Sequence, residues 1–182
     1  MASLGGNGEY IPHSARNVSA FGVSYLDPPG TGGGCVQTGP FVNYTVSLGP
    51  ITYEPVDGDN GLAYNPRCLS RDFNLYWSNQ TKPTDLVRLF NESGDSLGLF
   101  DQNLDALNGV HAGGHFQIGG DPAMDPFVSP RDPAFYTHHS QIDRIWTVWQ
   151  ALDFKGRLDQ TYGTQTAFNS KLTTIWVLTL GF

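Results

Sequence analysis

The chain has 182 residues, with 22 Gly, 12 Pro and 13% aromatics, which suits one domain or a piece of one, packed from ordered loops around few regular elements. A formal net charge of −7 and an isoelectric point near 4.9 exclude the basic face that phosphate neutralisation requires, so nucleic acid is not an expected partner.

The first residues, MASLGGNGEYIPHS, contain no basic stretch followed by an apolar run and do not read as a signal peptide. Residues 1–83 are dense in turn signals: Pro28-Pro29-Gly30, Gly32-Gly33-Gly34, Gly39-Pro40, Gly49-Pro50, Asp57-Gly58 and Asn65-Pro66. The β-leaning runs between them, such as residues 41–46, are too short for a large sheet. Phe21, Tyr25, Phe41, Tyr44, Tyr53 and Tyr64 are interspersed for packing, which predicts ordered loops rather than a linker.

Cys35 and Cys68 fit either one bridge or two free thiols. Four acceptor triplets for N-glycosylation, at Asn17, Asn43, Asn79 and Asn91, favour an extracellular, oxidising environment and therefore the bridge. Closing that loop would stabilise the fold by roughly 3 to 4 kcal/mol on chain entropy.

Helical character is expected from Thr84, as N-cap of DLVRLFN, and again through LGLFDQNLDAL, where Phe100, Leu104 and Leu107 recur at helical spacing. The longest predicted helix is PAFYTHHSQIDRIWTVWQALD, with Asp132 as cap and Pro133 at the first helical position, where a missing N–H costs nothing. Phe135, Ile142, Ile145, Trp146, Trp149 and Leu152 give it a broad apolar face, and Gly156 is the expected stop. The final LTTIWVLTLGF is about half of a membrane span and reads as a buried strand or terminal segment. No membrane association is expected.

Four of the five histidines fall within residues 111–139. On a helix His111 and His115 lie one turn apart on one side and can present two imidazoles to one ion. Gly113 and Gly114 between them each weaken a helix by about 1 kcal/mol relative to Ala, which suggests close approach of another backbone or of a substrate. A zinc-protease motif would need Glu directly after the first histidine, and Ala112 stands there. Imidazole ligands alone suit copper, iron, nickel or zinc.

DPAFYTHHSQID (132–143), with HAGGHFQIGGD upstream, resembles the second copper site of the type-3 copper family, the tyrosinases, catechol oxidases and haemocyanins. GGGCVQTGPF and YNPRCLSRD resemble the stretch preceding that site in filamentous-fungal tyrosinase-like enzymes, and the likeness covers most of residues 30–153. It implies a mainly α fold, part of a type-3 copper helical bundle, with a loop-rich Gly/Pro-rich region over 1–83, helices over 84–155 and a terminal segment over 156–182, together one partial domain. It also implies that His111, His115 and His139 hold one copper, while His138 lines the pocket or steadies a ligand ring. Asp143 would orient an imidazole or pair with Arg144, and Gln102 would hold a water.

In that family two coppers, each held by three histidines, bind dioxygen and oxidise o-diphenols to o-quinones. Only His13 precedes His111, and it reads as a surface residue outside any pattern, so at most one copper is expected here and the first site must lie elsewhere. Members strong in monophenol hydroxylation often carry Asn where Ala112 stands, which points to oxidation of catechols or o-aminophenols rather than of tyrosine. The resemblance thus implies a phenolic substrate and O2 as partners, with a non-catalytic single-copper or oxygen-carrying module as the alternative. With the first-site helices missing, the apolar face of residues 132–153 would be left exposed for association.

Overall fold

The computed structural model describes residues 4–20, 23–52 and 61–163. Phe21, Tyr53, Asp57-Gly58 and the LTTIWVLTLGF segment lie outside the described residues. In chain order the elements are β1 (Gly8–Tyr10), β2 (Arg16–Ala20), β3 (Val23–Asp27), β4 (Gly33–Val36), β5 (Thr45–Val46), β6 (Arg67–Cys68), α1 (Leu75–Ser78), α2 (Pro83–Ser93), α3 (Leu97–Leu104), α4 (Val110–Ile118), α5 (Gly120–Met124), a 3-10 turn (Ser129–Arg131), α6 (Ala134–Leu152) and α7 (Phe154–Arg157). The architecture is mainly helical, with a loop-rich first part, as expected.

Glycines and prolines break the chain before any strand exceeds five residues. The strands therefore pair only in twos, β1 with β4, β2 with β3 and β5 with β6, all antiparallel. Loop-to-loop hydrogen bonds join these ribbons: Val36 N–H donates to Leu69 O at 2.9 Å, and Leu69 N–H to Tyr44 O at 3.0 Å. A small core of Val36, Val46 and Leu69, with Phe41 against it, lies between them. Cys35 on β4 and Cys68 on β6 are bridged, with their Cα atoms 5.5 Å apart.

The helical part owes its cohesion to a larger core of Leu89, Leu97, Phe100, Leu104, Val110, Ile145 and Trp149. Phe100 and Trp149 stack with centroids 4.6 Å apart, and both are fully buried. Each such aromatic contributes roughly 2 to 3 kcal/mol through burial. Ile142 and Trp146 pack against the same core, so α2 and α3 cover most of the apolar stripe of α6. The expectation of a bare face is corrected to its rim, where Tyr136, Val148 and Leu152 remain exposed.

Helix ends differ from expectation where local chemistry offers a better cap. α2 begins at Pro83, because Pro suits the first turn and the Asp85 carboxylate accepts the Lys82 N–H at 2.9 Å, leaving Thr84 inside the helix. α3 stops at Leu104, short of Leu107, where the chain turns sharply over residues 105–109. Asp132 does cap α6, its Oδ1 accepting the Ala134 N–H at 2.8 Å while Pro133 holds helical angles. Gly156 is not a stop: α6 ends at Leu152, and Gly156 lies within α7, its N–H bonded to the capping Asp153.

Arg71 ties the two parts together. Its guanidinium grips Asp132 with two 2.8 Å bonds, both side chains almost completely buried, and also donates to Leu4 O at 2.7 Å. The residue that caps the histidine-bearing α6 is thus anchored to the loop-rich part.

Candidate metal centre

α4 carries His111 and His115, and α6 carries His138 and His139. An aromatic wedge seats α4: Phe116 lies 4.8 Å from Trp77 and 5.4 Å from Tyr25, and the Trp77 indole N–H donates to Asp27 at 2.8 Å. The last α4 carbonyls are satisfied by the loop after β6, since Asp72 N–H bonds Ile118 O and Asn74 N–H bonds Gln117 O, each at 3.0 Å.

Both helical glycines have close neighbours, as expected. A Cβ at Gly114 would collide with the His138 ring, and one at Gly113 would come within 2.8 Å of Gln80 Cβ. At Gly113 the approaching element is α1, with Trp77 O 3.4 Å from such a Cβ, and at Gly114 it is the His138 side chain, for which glycine leaves room.

All four histidines offer a ligand atom within 4.8 Å of one another. Three Nε2 atoms converge, that of His115 standing 3.3 Å from that of His111 and 3.1 Å from that of His139. Imidazoles bound to a zinc-sized divalent ion at about 2.0–2.1 Å, set at a tetrahedral angle, place their nitrogens about 3.3 Å apart. The three rings match that spacing, so the residues fit a metal ion. His111 Nδ1 bonds Asp105 Oδ1 at 2.7 Å and His115 bonds the Ala123 backbone. With those nitrogens protonated, two bare Nε2 lone pairs face each other, an arrangement that repels unless a cation or a proton stands between them.

His138 is turned differently. Its Nε2 lies 3.0 Å from the His111 carbonyl, and its ring stacks at 5.6 Å on that of His111. His139 stacks against Phe135 with centroids 3.9 Å apart.

Burial, then the neighbouring rings, pushes His115 down to about 2 and His138 down to about 4. Burial first, then His111, also lowers His139. Rings that stay neutral keep a lone pair for a metal.

The common central domain of tyrosinase matches residues 1–152. The chain belongs to the tyrosinase family. Tyrosinase-like protein orsC of Emericella nidulans is 38% identical over 185 residues, covering 93% of this chain and 49% of that protein. Tyrosinase P of Aspergillus terreus is 38% identical over 178 residues, with 91% and 49% covered. The solved structure of polyphenol oxidase from Thermothelomyces thermophila superposes with a TM-score of 0.71 at 40% identity, covering 86% of this chain and 44% of that one. The chain spans about half the length of the curated tyrosinase relatives it matches.

Against the expectations for a tyrosinase-type site, the structure brings His111, His115, His138 and His139 together and leaves two other residues out. Asp143 is exposed, and none of the ring hydrogen bonds described above goes to it; Arg144 instead reaches Gln141 at 3.4 Å. Gln102 is exposed on α3, its amide donating to the Tyr162 hydroxyl rather than facing the rings. The residue that sequence reasoning missed is Asp105, six before His111. Its only signal was an acid inside a predicted helix that the structure ends one residue earlier.

His13 is an exposed loop residue, as expected, and bonds Asp72 at 2.9 Å and the Ile11 carbonyl at 2.6 Å. Asn17, Asn43, Asn79 and Asn91 are all exposed. Among the described residues no helix is long and apolar enough to cross a membrane.

Proposed function

We propose that this chain carries the second-copper half of a tyrosinase-type oxidase acting on o-diphenols or o-aminophenols with O2. The observation that carries the reading is the convergence of three Nε2 atoms from His111, His115 and His139 at 3.1 and 3.3 Å. Copper bound there would supply the electron transfer and dioxygen binding that side chains lack. The protein's contribution is to hold three imidazoles in register. Burial keeps protons off His115, and the Ala123 backbone and Phe135 fix two of the rings. His138 closes the pocket beside α4, held by the His111 carbonyl. Ala112, next to the first ligand, adds no polar group toward a phenol, which favours diphenol oxidation over hydroxylation of tyrosine.

A second reading, a single-copper module without oxidase activity, is favoured by one feature. The chain's own ligand set is one three-imidazole site, since its fifth histidine, His13, is engaged by Asp72. Copper content and oxygen consumption on catechol, measured on this chain and on one extended at its amino end, decide between them. One copper with no oxygen uptake in either form selects the module, whereas uptake in the extended form selects the oxidase. Oxygen uptake on tyrosine without added diphenol would refute the diphenol preference.

The bridged cysteines and the four exposed sequon asparagines support an extracellular glycoprotein. Expression in a eukaryotic secretory host followed by endoglycosidase treatment should lower the apparent mass; an unchanged band refutes the glycosylation.

A further inference from the structure

Asp105 stands at a junction between two helices. It is the C-cap of α3, where unpaired carbonyls already present negative charge, and Asp101 lies one turn earlier. The Asp101 carboxyl is held above its ordinary range by burial first and then by the Asp105 charge. The Asp105 side chain is 54% exposed, yet it turns toward the histidine cluster. The contact present is His111 Nδ1, 2.7 Å from Asp105 Oδ1.

The turn that delivers it is equally particular. Gly109, the N-cap of α4, packs so tightly on the end of α3 that an added Cβ would meet the carbonyls of Leu104, Asn103 and Ala106. A side chain there would force the turn open and draw α4 away from Asp105. The tight 105–109 turn therefore serves to set a carboxylate on the first histidine of the pair.

We propose that Asp105 is a positioning residue that locks His111 as its Nδ1–H tautomer and aims Nε2 at the shared metal position. A neutral imidazole free in water samples both tautomers and rotates about χ2. His111 is the ring held by a side-chain carboxylate, whereas His115 is held by the Ala123 backbone and His139 lies against Phe135. The inference rests on the reading of the cluster as a copper site, but the tautomer exists without metal.

The full chain is compared as wild type, Asp105→Ala, Asp105→Asn and Glu92→Gln, the last removing one exposed charge on α2. Long-range 1H–15N spectra of the metal-free protein report the His111 tautomer, and a chelator competition reports copper affinity. Asp105→Ala should mix the His111 tautomers and weaken copper binding by roughly 10- to 100-fold, the usual cost of losing a ligand's hydrogen-bond partner. Asp105→Asn, which keeps an acceptor oxygen, should retain the tautomer and most of the affinity, and Glu92→Gln should change neither.

An unchanged tautomer in Asp105→Ala overturns the proposal, as does an affinity loss shared equally by Glu92→Gln. If wild type binds no copper, the functional reading fails while the tautomer measurement still judges Asp105.

Discussion

The loop-rich part before α1 and the helical part from α2 to α7 are held together by different physics. The first has a core of three buried aliphatic residues and relies on a bridge, ion pairs and backbone hydrogen bonds between loops. The second has seven buried apolar residues in one cluster and carries all four site histidines. A chemically active patch thus sits on the part with the larger core, while the other part works as a brace. The brace acts through Arg71 on Asp132, the loop after β6 on the end of α4, Arg67 on Asp121, and the Ile51 and Thr52 backbone on Asp125.

The largest expected effect comes from cutting that tie. Arg71→Ala leaves Asp132 charged and buried without its partner, which should lower stability by about 5 kcal/mol, the upper end for a broken buried pair. The cap on α6 should loosen as well. Adding Asp132→Asn, which keeps an acceptor for the Ala134 N–H, should recover part of the loss; urea unfolding measures both.

Trp149→Ala attacks the helical part alone. It removes the ring stacked on Phe100 and the indole bond to Gly94 O, for about 4 kcal/mol. Reduction of the Cys35–Cys68 bridge, 33 residues apart, attacks the loop-rich part and should cost roughly 3 to 4 kcal/mol on chain entropy. Hydrogen exchange sharpens the contrast. After reduction, amides of β4 and β6 should lose protection before those of α6, and equal loss in both parts would mean that they do not unfold separately.

What could be read beforehand followed from strong local rules. The His111 and His115 pair, the Asp132 cap and the apolar stripe of α6 each rest on spacing within one element, and each appears in the structure. The contacts that were not legible run between elements or across tight turns. Nothing in the residue order says that Arg71 meets Asp132, 61 positions later. Nor does it say that Gly114 makes room for His138, or that ending α3 at Leu104 swings Asp105 onto His111. Helical spacing put Asp143 one turn from His139, but spacing along a helix does not say whether that side faces a ring or solvent, and it faces solvent.

The smallest effect separates the two parts by sign of pH response. In the helical part His115, His138 and His139 titrate below 6.5, so they stay neutral when folded. Unfolded, they would take up protons near pH 6.5. Their contribution to stability is therefore whole above about pH 6.5 and declines as pH falls below it, by of order 1 kcal/mol each for His115 and His138 between pH 7.5 and 5.5 and by less for the more exposed His139. The loss levels off for His138 near its folded value of about 4 and continues for His115 toward about 2. His13 in the loop-rich part does the opposite. The Ile11 carbonyl first, helped by Asp72 and opposed by burial, raises it. Its contribution is whole below the unfolded value and fades as pH rises through the folded one. Urea midpoints of the metal-free chain at pH 7.5 and 5.5 should fall with acid in wild type and fall further in His13→Asn, which lacks the opposing group. A smaller acid effect in His13→Asn than in wild type would reverse the assignment of the two signs.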